Sequence, residues 1–69
     1  MKAIFIKKTN IEVFKRGMIV EIQPVKNDVN NYFWNVKDTP YNFGRSMLAT
    51  ENIEEIKKAI QIQERGRKR

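Results

Sequence analysis

Apolar positions along the chain follow three patterns, and each predicts an element. Ala3, Ile4, Phe5 and Ile6 form an unbroken β-branched and aromatic run between lysines. Such a run predicts a strand over Lys2 to Lys8, buried on more than one side. From Met18 to Val25 the pattern alternates. Met18, Val20, Ile22 and Pro24 share one face, and Ile19, Glu21, Gln23 and Val25 share the other. This period of two predicts a strand with one solvated side. Pro24 has no amide hydrogen to donate, so it belongs at an edge or near a strand end. Tyr32 to Lys37 alternates again, with Tyr32, Trp34 and Val36 opposite Phe33, Asn35 and Lys37. Tyr41 to Leu48 predicts a fourth strand with a bulge or tight bend at Gly44.

Turn chemistry separates these runs. Thr9 to Gly17 carries Asn10 and Gly17, and Gly17 is the position where a positive φ is expected. Ile11, Val13 and Phe14 are the candidate anchors of that loop. Lys26 to Asn31 is a turn by composition, and Asp38-Thr39-Pro40 breaks the third strand.

After Leu48 the period lengthens. Ile53, Ile56, Ala59 and Ile60 recur at helical spacing. Asn52 stands at the N-cap with Glu55 in the capping-box position. Glu54 and Lys58 make an i, i+4 pair, and the charges at both ends suit the helix dipole. These signals predict a helix from Ile53 to Glu64, ended by Gly66, with Ile62 off the main stripe. A second reading stays open, in which Thr50 to Ile53 is a 3₁₀ turn and a short strand begins at Glu55. The predicted core is Ile4, Ile6, Phe14, Val20, Ile22, Val36, Leu48, Ile53 and Ile56, with either Trp34 or Phe33.

The stretch Val13-Phe14-Lys15-Arg16-Gly17-Met18-Ile19-Val20-Glu21-Ile22 resembles the first strand pair of small SH3-like barrels, where an aromatic precedes a turn glycine and alternating apolar residues follow. Trp34-Asn35-Val36-Lys37-Asp38 and Asn52-Ile53-Glu54-Glu55-Ile56 look like the centre and end of such barrels. The Ile, Lys and Asn bias is similar to that of small SH3-like proteins of Gram-positive phages and mobile elements. The resemblance spans roughly Val13 to Ile56 and implies a mostly β chain. The expected architecture is a small SH3-like barrel of four to five strands with a C-terminal α-helix. One domain would cover residues 1–64, and residues 65–69 would form a basic tail. Small archaeal chromatin proteins also join an SH3-like barrel to a terminal helix, but no motif matches them residue by residue and no binding residue transfers.

Composition removes whole classes of chemistry. The 69 residues include no Cys, no His and a single Ser, Ser46. Disulfide scaffolds, thiol nucleophiles, imidazole acid–base catalysis and the usual zinc sites are therefore excluded. Glu21, Asp28 and Asp38 are the candidate carboxylates for a paired acid–base role, but a chain this small rarely encloses the necessary cleft. The expectation is a non-enzymatic protein without cofactor or metal. No apolar stretch approaches the roughly 20 residues of a membrane span. The N-terminal run is too short for a secretory signal, so a cytoplasmic location without membrane association is expected.

Fourteen basic against eight acidic residues give a net charge of +6, a balance that favours an anionic partner. The same sequence holds nine Ile, nine Lys and seven Asn, all with AT-rich codons, so base composition alone inflates lysine. The tail Arg65, Arg67, Lys68 and Arg69 reads either as a solvated terminus or as a phosphate-contacting arm. Five of the seven aromatic residues lie within residues 32–43. Alternation puts Phe33 opposite Tyr32 and Trp34, so at least one ring is expected to be exposed.

Three functional readings follow. In the first, Lys7, Lys8, Lys15, Arg16, Arg45 and the tail contact nucleic-acid phosphates while Trp34, Phe33 or Tyr41 stacks on bases. The pair Lys57-Lys58 is a further candidate. In the second, an exposed aromatic patch anchors a host protein that a phage or mobile-element accessory protein modulates. A homodimer burying the Ile53–Ile60 helix face or an open strand edge is a third reading. The surroundings of the exposed aromatic separate the first two: basic neighbours favour nucleic acid, and an apolar patch favours protein.

Overall fold

The computed structural model describes residues 1–67, so Lys68 and Arg69 of the basic tail lie outside the described residues. The elements are β1 (Lys2–Phe5), β2 (Ile19–Pro24), β3 (Phe33–Val36), β4 (Asn42–Gly44), a 3₁₀ turn (Arg45–Met47), β5 (Leu48–Ala49) and α1 (Ile53–Arg67). The strands form one antiparallel sheet in the order β4-β3-β2-β1-β5. β2 divides its pairing: Ile19 to Glu21 face β1, and Ile22 to Pro24 face β3. The two edge strands, β4 and β5, do not pair with each other.

The uninterrupted apolar run of β1 does what its pattern predicts. Ala3, Ile4 and Phe5 have no exposed surface. Ala3 and Phe5 enter the main core with Phe14, Ile22, Trp34, Val36, Phe43 and Leu48. Its centre is aromatic. Phe43 meets both Phe5 (5.0 Å, 84°) and Phe14 (5.4 Å, 77°) edge to face, the arrangement that aligns ring edges with π-faces. Ile4 alternates to the opposite side of β1, where α1 packs. There Ile60 is buried and Ile53 and Ile56 are half-buried.

The predicted phases of β2 and β3 hold at their centres. Ile22, Trp34 and Val36 are buried while Phe33 is exposed, so Trp34 is the core ring. Val20 is half-buried and packs on the core. Pro24 ends β2 opposite Trp34, where its missing donor costs least. Gly17 has φ +92°, and its N–H donates to the Phe5 carbonyl (2.7 Å).

Five expectations need correction. The single fourth strand is two short strands, because the 3₁₀ turn takes the chain through the bend anticipated at Gly44. Of the predicted core, Ile6, which lies just outside β1, and Val20, Ile53 and Ile56 are only half-buried, whereas Ala3, Phe5, Phe43 and Ile60, absent from the predicted core, are buried. Residues 55–62 are helical, which removes the reading with a short strand from Glu55. Gly66 does not end α1, which runs to Arg67. A glycine stops a helix only by taking a left-handed conformation, and Gly66 is not among the positive-φ glycines. Asn52 does begin the helix, since its carbonyl accepts from the Ile56 N–H (3.0 Å). However, its φ is +55°, and no side-chain cap from Asn52 is present among the described residues. It serves by tolerating the left-handed region.

Candidate nucleic-acid interface

The thirteen-residue connection from Ile6 to Met18 is tied down from within. Thr9 Oγ1 donates to the carbonyls of Ile11 and Phe14, and accepts from the Ile11 N–H. Phe14 then plugs the loop into the core. This ST-type turn holds Lys7, Lys8 and Lys15 on a fixed loop rather than a floppy one. Lys7, Lys8 and Lys15 are exposed.

Across from this loop stands Tyr41, the residue before β4. Its ring contacts Phe14 edge-on (5.6 Å, 76°) and remains 40% exposed. A groove of about 280 Å³ runs between them, lined by Lys8, Thr9, Asn10, Tyr41, Asn42 and others. Asn42 is held at its rim. Its Oδ1 accepts from Asn35 Nδ2 (2.9 Å), which also donates to the Thr39 and Tyr41 carbonyls. The groove thus joins a lysine carried on a tied loop, an exposed ring and side-chain amides. That set can meet a phosphate, a base face and a base edge.

The other predicted residues divide. Trp34 is 9% exposed, and the Arg45 guanidinium carbon sits 3.7 Å from its ring centroid. The ring face is therefore already occupied by a cation–π contact, and Trp34 is withdrawn as a stacking platform. Arg45 is committed with it: its Nε is buried and has no hydrogen-bond partner, so it is not a surface phosphate ligand at that atom. Arg16 is bound to its own chain. Nε donates to the Ile6 carbonyl (3.3 Å), Nη2 donates to Gln63 Oε1 (2.6 Å), and Nη1 is 3.8 Å from Glu64 Oε1. Arg65 is exposed on α1, and Arg67 is the last helical residue. Lys68 and Arg69 lie outside the described residues.

The candidate carboxylates are occupied separately. Glu21 accepts from the N-terminal ammonium of Met1, which holds its carboxyl below the usual glutamate range. Asp28 Oδ2 accepts from the Phe33 N–H, and Asp38 occupies a left-handed turn position at φ +66°. No group of three acidic residues capable of holding a metal occurs among the described residues. Among the described residues no helix is long and apolar enough to cross a membrane.

A second group of exposed apolar residues, close together in the sequence, was not anticipated as a surface. Val29, Tyr32 and Phe33 are 89%, 65% and 45% exposed. They sit on and beside the β2–β3 turn, in the segment of residues 27–50 that has two charges of each sign. Only the alternation of Phe33 against Trp34 signalled part of it. No protein-family model, curated protein or solved structure matches the chain.

Proposed function

We propose that the chain is a non-enzymatic binding module with an SH3-like barrel, and that it binds nucleic acid through the groove between the β1–β2 loop and Tyr41. Strand order supports the barrel reading. The two edges of the sheet, β4 and β5, are joined by only the three residues Arg45–Met47, a span of about 6 Å in a 3₁₀ turn. A sheet with edges that close is strongly curled. A single observation carries the nucleic-acid reading: Lys8 and the exposed Tyr41 line one groove, with Lys7 and Lys15 on the same loop. Cations beside an exposed ring are what a single strand needs, since charges follow phosphates and rings stack on bases.

Titration with single- and double-stranded DNA and RNA at two salt concentrations tests this. Affinity should fall steeply with salt. Tyr41→Ala should weaken single-strand binding by about 1–3 kcal/mol with little change in salt slope. Absence of binding at low salt defeats the reading despite the charge of +6.

The exposure of Val29, Tyr32 and Phe33 around one turn favours a second reading, an accessory protein of a phage or mobile element that docks on a host protein. Its test is a captured host protein whose binding is lost in Tyr32→Ala and unchanged in Tyr41→Ala.

A further inference from the structure

The sequence pair Lys57-Lys58 is split by the helix. Lys58 is exposed, whereas Lys57 is half-buried in a depression between α1 and the β1–β2 loop. This depression, about 340 Å³, is lined by Arg16, Gly17, Lys57, Ile60, Gln61, Glu64 and Arg65. Lys57, Gln61, Glu64 and Arg65 follow the i, i+4, i+7, i+8 spacing of one helix face. Three cationic residues and one carboxylate therefore line the same depression.

We propose that Arg16, Lys57 and Arg65 form a phosphate-contacting surface and that Glu64 competes with the bound nucleic acid for it. The proposal rests on the nucleic-acid reading above and extends its site to the other flank of the loop. The same loop connects the two flanks: Lys8 borders the Tyr41 groove, and Arg16 borders the depression. A guanidinium carries five N–H donors. Arg16 commits two of them to Ile6 and Gln63, and those contacts hold its plane in place. The Nη1 edge looks toward Glu64 at 3.8 Å, too far for a hydrogen bond. A phosphate oxygen entering there gains a fork that is already oriented. Glu64 is half-exposed, so it can yield its place at small cost, as exposed ion pairs do.

Lys58 provides the control, with the same charge one residue away on a different helix face. The measurement is the binding of a fluorescent single-stranded oligonucleotide to the whole chain across salt concentrations, with thermal melts of every variant. Lys57→Gln should weaken binding about three- to tenfold at low salt and lower the salt slope by about 0.7, one single-strand phosphate contact. Lys58→Gln should leave the slope unchanged. Glu64→Gln should strengthen binding about two- to fivefold, the range of an exposed ion pair. Equal effects of Lys57→Gln and Lys58→Gln would overturn the proposal, as would Glu64→Gln without a gain, while wild-type binding and the Tyr41→Ala loss keep the groove reading intact. If the wild-type chain binds no nucleic acid, both readings fall together.

Discussion

The two halves of α1 have the same secondary structure and different reasons to be there. From Ile53 to Ile60 one face is turned onto the sheet, with Ile60 buried and Ile53 and Ile56 half-buried. From Gln61 to Gly66 every residue is exposed, Ile62 included. That second half touches the domain through Arg16, which reaches Gln63 and Glu64. Helices of this length are marginal in isolation, so their stability comes from the packed face. The first half is therefore structural, and the second is a charged extension presented by it. The lesson is that helical periodicity marks where a helix docks, while charge continues it past the docked part.

The largest break in this comparison should come from Ile60→Ala. It removes a side chain that is only 6% exposed and should cost about 2–4 kcal/mol in urea unfolding. Gly17→Ala attacks the same contact from the loop side. A Cβ on Gly17 would lie 3.1 Å from Ile60 Cγ2, at a φ of +92°. Close approach and left-handed strain together should cost about 1–2 kcal/mol. Both variants should also lose helical far-UV signal before the sheet melts, because both undock the first half. Simultaneous loss of helix and sheet would show instead that the docked helix and the sheet are one cooperative unit.

Asn52 sharpens the comparison at the start of the docked half. Asn52→Ala should cost about 1 kcal/mol, whether the side chain caps the helix or merely tolerates φ +55°. Asn52→Thr separates the causes. Threonine is a good N-cap but a poor left-handed residue, so the observed backbone predicts a loss near that of alanine. A melting temperature equal to wild type would restore the capping role.

Much of the fold was legible where burial was one-sided or complete. The run Ala3-Ile4-Phe5 needs cover on both faces, and it has the core on one and α1 on the other. Trp34 and Phe33 are adjacent, so alternation alone required one in and one out, but not which. The packing of Phe43 opposite Trp34 decided it, and that pairing is non-local. The break between β4 and β5 was harder. Gly44 announced a bend, yet nothing in Arg45-Ser46-Met47 distinguishes a 3₁₀ turn from a bulge. For the candidate site, composition named Lys8 and Tyr41 separately, but their meeting across the groove depends on Phe14 anchoring the loop beneath Tyr41. Trp34 failed as a surface residue for the complementary reason: its partner Arg45 lies eleven positions along the chain and arrives only through the β3–β4 pairing.

The smallest expected effect contrasts the two glycines that frame this helix. Gly66 lies in the exposed half, and a Cβ there meets nothing within 4 Å. It holds a helical conformation, so alanine loses no special backbone freedom and gains up to about 1 kcal/mol of local helix propensity. The gain falls on an exposed last turn, where local opening is expected to be uncoupled from global unfolding. Gly66→Ala should therefore raise the helical circular-dichroism signal and slow amide exchange in the last turns, while the urea midpoint moves by less than about 0.5 kcal/mol in equivalent stability. The same substitution at Gly17 is expected to lower the midpoint. A matching rise in global stability for Gly66→Ala would mean that the exposed half contributes to holding the domain together, and the division of α1 into a docked and a presented half would fail.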